Sequence, residues 1–175
     1  MNFQKRYTIS TTKFIPKETQ GFECKNEDIC VISTLEEAKW LARRIVYFKD
    51  LKQKENLSLN VFVEGIEPEW EDEKNANGSS FIVSLNVDEC VNYIFEKLFF
   101  NFITNQFRTV EVNGIRVDVK KGCVKVAVWI NSVIDPKESK EIFAEMSQMM
   151  GFETNIGFNY KKHQKCLEQE KMKQN

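Results

Sequence analysis

The chain has 175 residues, of which 42% are hydrophobic and 29% charged, and this balance predicts a single globular domain spanning residues 1–175. Its net charge of −1 at pH 7 excludes a general attraction to long polyanions, so nucleic-acid binding would require a local basic patch. No apolar run reaches transmembrane length, and residues 1–6 contain no apolar secretory core. We therefore expect a cytoplasmic protein, with the nucleus as a second location, and no membrane contact.

The chain is poor in the side chains that build catalytic triads and metal centres. Its one histidine is His163, in a polar C-terminal stretch, and its five cysteines are too far apart for a zinc knuckle or a thioredoxin motif. A histidine-based triad and a multi-histidine metal site are therefore not expected. No metal or cofactor is therefore expected.

The N-terminal part predicts two strands and the start of a helix. Tyrosine, isoleucine and phenylalanine among threonines indicate a strand over 6–15, followed by a polar loop over 16–28 and a short strand over 30–32. Thr34 is a suitable N-cap, and Glu37 completes a capping box three residues later. A first helix should therefore begin directly after Thr34.

The central part continues with alternating strands and a second helix. In the first helix, Trp40 projects away from the apolar stripe, which is an unusual place for a tryptophan. A strand over 60–66 leads into an acidic loop over 67–78, and a cleanly alternating strand follows over 79–87. The second helix, over 88–106, is apolar around most of its circumference.

The C-terminal part predicts a hairpin over 110–130, a third helix and a last strand. Asp135 followed by proline is typical of a helix N-terminus, and Gly151 is typical of a C-terminus. A strand is predicted over 154–159, and the segment 163–175 is expected to be a frayed tail. Together these elements predict an α+β domain with one antiparallel sheet whose apolar face is covered by three helices.

The predicted hairpin places basic and aromatic side chains on one face. Because side chains alternate along a strand, Arg116, Asp118 and Lys120 lie opposite the apolar face of the first strand. On the second strand, Lys125 and Trp129 share that same face. Like charges opposed on a sheet are unfavourable, and an anionic ligand would offset that cost. A solvated outer face and an anion-binding face both remain open.

The acidic loop contributes a second clue, the dipeptide Trp70-Glu71. An indole face attracts a positively charged ring, and a carboxylate can accept two hydrogen bonds from the N1 and N2 edge of guanine. The loop therefore suits a cationic purine. The alternative is that Glu69 to Glu73 form a solvated acidic loop, which is usual for runs of charge.

Two segments resemble the translation initiation factor 4E family. They are Gly65-Ile66-Glu67-Pro68-Glu69-Trp70-Glu71-Asp72-Glu73-Lys74-Asn75, with Gly78 after it, and Lys125-Val126-Ala127-Val128-Trp129. Their order and separation fit the family, and the resemblance extends over about residues 6–160. It implies a curved antiparallel sheet with three helices packed on its convex face and a site for the 7-methylguanosine cap of mRNA on its concave face.

The resemblance also assigns roles to residues that would contact the cap base. Trp70 would be one wall of an aromatic sandwich around 7-methylguanine, and Glu71 would bind the guanine edge. Trp129 would contact the N7-methyl group. The family's other sandwich tryptophan is absent, and alignment without gaps places Phe22 at that position. Phenylalanine can still stack, although with less area than tryptophan.

Lysines would bind the cap phosphates. Lys125 matches a family lysine directed at the phosphates, and Lys120 stands where the family commonly has arginine, so a point charge replaces a bidentate fork. The C-terminus is shorter than is usual for the family, so we expect the family's loop over the phosphates to be reduced. Lys162, with Lys161 and Lys165 beside it, is expected to supply charge in its place.

The convex face of the family grips partner proteins with a helix tryptophan. Here Lys39 occupies that position and Trp40 follows one residue later, whereas Leu35, Phe95 and Phe99 match the apolar partners of the site. We expect Trp40 and Phe99 to be exposed together. The implied partner is a scaffold protein of the initiation factor 4G type, or a 4E-binding regulator, that docks through a helical peptide.

Three functions follow from these observations. The first, which the resemblance implies, is a monomeric cap-binding protein that is not an enzyme. It would recruit a scaffold protein to capped mRNA and start translation. The second is a cap-binding repressor that does not engage the scaffold productively, which the change at Lys39 and Trp40 keeps open. The third is a cap-nucleotide hydrolase, for which the acidic run from Glu69 to Glu73 would be the sole source of a metal site.

Overall fold

Seven strands form one antiparallel sheet in the order β2-β1-β3-β5-β6-β4-β7. The computed structural model describes residues 2–16, 22–45, 47–50, 57–86, 90–120, 122–135, 138–153 and 156–174. The strands are β1 (Asn2–Pro16), β2 (Phe22–Thr34), β3 (Leu57–Val63), β4 (Ser79–Asn86), β5 (Val112–Lys120), β6 (Cys123–Ile130) and β7 (Asn159–Lys162). The sheet is curved, as predicted, and its convex face carries the main helices.

Five α-helices occur in the described part of the chain, two more than predicted. They are α1 (Leu35–Ala42), α2 (Glu73–Ala76), α3 (Cys90–Ile103), α4 (Ser139–Met149) and α5 (His163–Gln174). The three predicted helices are α1, α3 and α4. The single turn α2 lies within the acidic loop, and α5 replaces the expected frayed tail. In the described residues no helix is long and apolar enough to cross a membrane.

The predicted loop over 16–28 is largely strand. β2 pairs with β1 in antiparallel register from Pro16 and Phe22 at one end to Asn2 and Thr34 at the other, with irregularities within the ladder. The segment lacks an apolar alternation because β2 is an edge strand that buries little of its surface. The backbone hydrogen bonds of β2 come from its pairing with β1, and the sequence pattern of β2 alone does not predict this pairing.

The start of α1 follows the predicted capping box. The Glu37 backbone N–H donates to Thr34 Oγ1 at 3.2 Å, and the Thr34 backbone N–H donates to Glu37 Oε2 at 2.9 Å. The third helix was expected to begin at Asp135, but α4 begins at Ser139, and its N-cap Glu138 makes no side-chain cap hydrogen bond. Gly151 ends α4 with φ of +82°, a conformation that glycine adopts without steric cost.

The main core lies between the sheet and the helices. The inward residues of β5 and β6 are fully buried as the alternation predicted, and α3 buries Val91, Ile94, Leu98 and Phe102 against them. A second, smaller apolar cluster lies on the opposite, concave face. It consists of Phe62, Ile66, Ala127 and Trp129, with Trp70 packed against it.

Strand register assigns side chains to the concave face in rows that cross the sheet. One row contains Phe62, Gly114, Trp129, Ser80 and Lys161, each directly opposite the next. A Cβ atom at Gly114 would lie 2.4 Å from the ring of Phe62. Glycine at this position therefore makes room for Phe62, whose ring meets Trp129 edge-on at 5.6 Å between centroids.

Candidate functional site

The loop between β3 and β4 is held in place by a buried asparagine. Asn75 is 0% exposed, and its Nδ2 donates to the carbonyl oxygens of Glu67 at 2.8 Å and Glu69 at 3.0 Å. These two carbonyls bracket the stretch immediately before Trp70. A buried asparagine with both donor hydrogens used is costly to move, so the loop has one defined course.

An aspartate closes the same loop from its other side. Asp72 caps α2 by accepting from the Lys74 backbone N–H at 2.8 Å, and its second oxygen accepts from the Glu67 backbone N–H at 2.9 Å. The acidic run is therefore in part a structural device. Glu71, in contrast, is exposed, and no donor in the described residues reaches its carboxylate. It is available to a ligand.

Trp70 and Trp129 are adjacent, as the sequence prediction requires. Trp70 is half-buried and Trp129 is 4% exposed, and their rings lie 6.4 Å apart at an interplanar angle of 18°. An intercalated ring needs about 7 Å between its two neighbours, because carbon atoms in contact are about 3.5 Å apart. The two indoles thus do not form a slot by themselves, and a base stacked on Trp70 needs a second wall.

Phe22 is the predicted second wall. Its backbone pairs with Pro16 at the end of the β1–β2 hairpin. Its side chain lies outside the described part of the structure, so the assignment stays a prediction. The hairpin is nonetheless tied to the Trp70 loop, because Asn26 Nδ2 donates to Glu69 Oε1 at 2.7 Å.

The two predicted phosphate-binding lysines share the concave face with Trp129. Lys125 lies directly opposite Asp118 across the β5–β6 pair, and Lys120 lies opposite Cys123 at the end of the hairpin. Asp118 is occupied by other partners, because Arg116 Nε donates to it at 2.8 Å and the Ser58 hydroxyl also hydrogen-bonds to it. Within the described chain neither lysine has a carboxylate within salt-bridge distance, so their charge is not neutralised locally.

Lys162 was the third predicted phosphate ligand. The β4–β7 register places it opposite Ser79, on the parity of the helix-covered face, and places Lys161 opposite Ser80 in the row of Trp129. Both lysines are exposed. The backbone therefore directs Lys161 rather than Lys162 towards the concave face.

Arg116 has a structural role that the sequence did not indicate. Its side chain was correctly assigned to the concave face, but its contacts join three segments that are distant in the chain. The guanidinium donates to the Pro68 carbonyl at 3.2 Å through Nη1 and lies 5.4 Å above the ring of Phe14. Side-chain alternation reveals the face of Arg116 but not these partners.

His163 was expected in a frayed tail and instead lies buried against the site. Its ring centroid is 4.5 Å from that of Trp129, and its Nδ1 is 2.6 Å from the carbonyl oxygen of Asn75. Burial lowers the pKa of His163, and the hydrogen bond to Asn75 opposes this in part. The imidazole is therefore neutral, with Nδ1–H donating to the carbonyl. No signal in the local sequence predicts this position.

The convex face differs from the prediction in one respect. Trp40 is 57% exposed as expected, and the guanidinium of Arg44 lies 3.9 Å above its ring. Phe99 was expected to be exposed beside it, but it is 0% exposed and stacks on Phe95 at 5.9 Å. The reason is that α3 packs apolar side chains both against the sheet and against the segment containing Phe48, which contacts Phe95 edge-on.

Phe95 and Phe99 are buried at the bottom of a surface depression. They line a cavity of about 260 Å³ together with Ile45, Tyr47 and Glu96. Trp40 is not part of this lining, which also contains Arg43 and Asn92, so the predicted partner surface consists of an exposed indole and a separate depression of mixed polarity. Of the other predicted members, Leu35 is half-buried and Lys39 is exposed.

Comparison with known proteins identifies the family of this chain. A family model described as eukaryotic initiation factor 4E matches residues 2–175. The chain is 30% identical over 141 residues to eukaryotic translation initiation factor 4E of Candida albicans, which is 77% of this chain and 65% of that protein. It is 26% identical over 161 residues to factor 4E-2 of Schizosaccharomyces pombe, covering 88% of this chain and 65% of that protein. The chain thus spans about two thirds of the length of these relatives.

Solved structures share the fold. Initiation factor 4E-3 of C. elegans, in complex with the 4E-binding protein Mextli and a cap analogue, superposes with a TM-score of 0.79 at 20% identity over 95% of each chain. Factor 4E-3 of Ascaris suum, in complex with an m2,2,7G cap, superposes with a TM-score of 0.78 at 21% identity over 93% of this chain and 91% of that one.

Proposed function

Because this chain belongs to the eukaryotic initiation factor 4E family, we propose that it binds the 7-methylguanosine 5′ cap of mRNA on its concave face. The observation that carries the proposal is the fixed loop that presents Trp70 and the unpaired carboxylate of Glu71 beside the buried Trp129. These groups suit a flat, cationic base with hydrogen-bond donors on one edge.

Each group at the base site has a distinct role. Trp70 stacks on 7-methylguanine, and its attraction to the ring is greatest when N7 methylation makes the ring cationic. Glu71 accepts hydrogen bonds from N1 and N2. Trp129 lies against the N7-methyl edge, and Phe22 covers the second face of the base.

The phosphates extend from the base towards the lysines of the concave face. Lys120 and Lys125 supply positive charge there, because Asp118 is already engaged by Arg116 and Ser58. Lys161 supplies charge in the row of Trp129, and Lys162 contributes by the reach of its side chain. Lysine binds phosphate as a point charge, so this subsite senses ligand charge more than ligand geometry.

The convex face is the proposed partner surface. A helical peptide of a scaffold protein, or of a 4E-binding regulator, contacts Trp40 and inserts an apolar side chain into the depression over Phe95 and Phe99. The proposed role is recruitment of capped mRNA to translation in the cytoplasm. A cap-binding repressor is the second candidate, favoured by the separation of Trp40 from the depression over Phe95 and Phe99.

A hydrolase is disfavoured by the use of the acidic run. Asp72 is committed to backbone hydrogen bonds, and Glu69 to Asn26. Among the residues described, no group of three or more histidine, cysteine, aspartate or glutamate side chains is placed to hold a metal ion.

Calorimetric titration with 7-methyl-GTP and GTP tests the proposal. We expect a preference for the methylated nucleotide of about 0.5–2 kcal/mol for each cation–π contact. Equal affinity for the two nucleotides would refute cap recognition. A pull-down with a scaffold peptide then separates initiator from repressor, since only the initiator retains the scaffold while bound to cap.

A further inference from the structure

We infer that Asn75 and His163 form a buried pair that sets the position of Trp70 relative to Trp129, and thereby the shape of the base site. This inference rests on the proposed function. Both residues are 0% exposed, and a cap would touch neither. They are therefore positioning residues, and they act through the two tryptophans.

Asn75 anchors the loop that presents Trp70. Its two Nδ2 hydrogens bind the carbonyl oxygens of Glu67 and Glu69, which lie three residues and one residue before Trp70. Its Oδ1 accepts from Asn113 Nδ2 at 3.0 Å, next to the start of β5. The side chain thus fastens the loop to the sheet at one buried point.

His163 connects that point to the second tryptophan. Its Nδ1–H donates to the Asn75 carbonyl at 2.6 Å, and its ring lies 4.5 Å from that of Trp129. The His163 backbone N–H donates to the Gly78 carbonyl at 3.1 Å, at the far end of the same loop. A continuous series of contacts therefore runs from Trp129 through His163 and Asn75 to the Trp70 loop.

The consequence is that α5 belongs to the site. The helix begins at His163, so the segment that supplies the ring against Trp129 also supplies the start of the C-terminal helix. Nε2 of His163 is buried without a hydrogen-bond partner in the described structure.

The test uses circular dichroism of the two indoles, which can be measured in the free protein. Two nearly parallel indoles at this distance couple their electronic transitions, and circular dichroism in the indole bands reports that coupling. Trp70→Phe identifies the coupled signal in the parent protein. Asn75→Ala and His163→Ala break the pair, whereas His163→Phe restores a ring against Trp129. Gln164→Ala is the matched control, because it removes the exposed contact of α5 with Asn77 at 3.0 Å and leaves the pair intact.

We expect Asn75→Ala and His163→Ala to reduce the coupled signal and to weaken 7-methylguanosine and 7-methyl-GTP alike. The expected loss is about tenfold, because restoring the binding position of the loop would then cost about the free energy of one hydrogen bond. His163→Phe should recover part of both, and Gln164→Ala should change neither. If Asn75→Ala does not fold, the two His163 variants decide.

Failure of this inference can be distinguished from failure of the proposed function. An unchanged coupled signal and unchanged nucleoside affinity, with a lower melting temperature, would show that the pair supports only the fold and would overturn the inference. If the parent binds no cap, the proposed function fails. The comparison of coupled signals in the free proteins still decides the positioning role.

Discussion

At the scale of single residues, Glu71 and Trp70 show how little separates a structural from a binding role. Five acidic residues lie around Trp70 between positions 67 and 73, and two of them, Glu69 and Asp72, are engaged with the protein. Glu71 points to solvent without a described partner, although it is identical in chemistry to Glu69. Its available carboxylate next to Trp70 makes it the candidate ligand.

Replacing Glu71 by alanine should weaken 7-methyl-GTP binding by about 1–3 kcal/mol, because donors on the guanine edge would be left unpaired. Calorimetry measures the loss. Glu73→Ala is the matched control, since it removes a neighbouring exposed carboxylate from the same run. Parent-like affinity in Glu71→Ala would show that the guanine edge is bound elsewhere.

The contacts of residues outside the two recognisable segments were not predicted from the sequence. The alternation of β5 assigned Arg116 to the correct face, but its contact with Pro68 depends on where the loop returns to the sheet. The polar neighbours of His163 predicted an exposed tail. Instead, His163 begins α5 and is buried against Trp129 and Asn75. In both residues the deciding interaction is with a segment distant in the chain.

At the scale of elements, the β5–β6 hairpin is the part that the sequence described best. The side chains of both strands alternate between the two faces, with Val117, Val126 and their neighbours in the core and Lys120 and Lys125 on the concave side. A shift of one residue would reverse every side chain, so the apolar pattern fixes the register.

The double change Lys120→Ala, Lys125→Ala should weaken 7-methyl-GTP much more than 7-methylguanosine. A hydrogen bond to a charged group contributes roughly 1.5–3 kcal/mol, and the nucleoside carries no phosphate. Raising the salt concentration should reduce the parent's preference for the triphosphate. Paired titrations at low and high salt measure both effects.

The control for charge is the double change Lys39→Ala, Lys140→Ala, which removes two exposed lysines from α1 and α4 on the other side of the sheet. Equal losses for nucleotide and nucleoside, or a large fall in melting temperature, would assign Lys120 and Lys125 to the fold and contradict the phosphate role.

Helix α1 carries the test of the partner surface. Trp40→Ala should weaken a scaffold or regulator peptide by about 2 kcal/mol or more, the usual cost at an aromatic hot spot, while leaving 7-methyl-GTP affinity unchanged. Fluorescence anisotropy of a labelled peptide measures this. Tyr93→Ala, another exposed aromatic at 55% exposure, is the control. Unaltered peptide binding by Trp40→Ala would remove Trp40 from the interface.

At the scale of the whole molecule, the free energy of unfolding should depend on pH through His163, the only histidine in the sequence. Burial lowers the pKa of His163 in the folded state, whereas the unfolded chain takes up this proton below about pH 6.5. The unfolded state therefore binds more protons as the pH falls below that value, and the folded state loses stability until the pH passes the lowered pKa.

The charged groups on the elements around His163 are exposed, namely Glu73, Lys74, Lys161, Lys162 and Lys165. Urea unfolding at a series of pH values from neutral to acidic should show the loss in the parent and not in His163→Phe, which has no proton to bind. Parallel curves for the two proteins would show that His163 is not responsible.

The sequence alone determined the α+β class, the alternation of β5 and β6, the cap of α1 and the two segments that match the family. These features depend on neighbours within a few residues, where periodicity and capping chemistry decide the outcome. The loop with Trp70 was recognisable for the same reason, because its chemistry lies within one short stretch.

Tertiary structure decided the rest. It made the polar segment before Thr34 into the edge strand β2, buried Phe99, and folded the tail into α5 with His163 beneath Trp129. Each of these outcomes depends on surface supplied by a segment far away in the chain, such as β1 for β2 and the Asn75 loop for His163. Local propensity contains no term for such partners, so burial and backbone pairing overrode it.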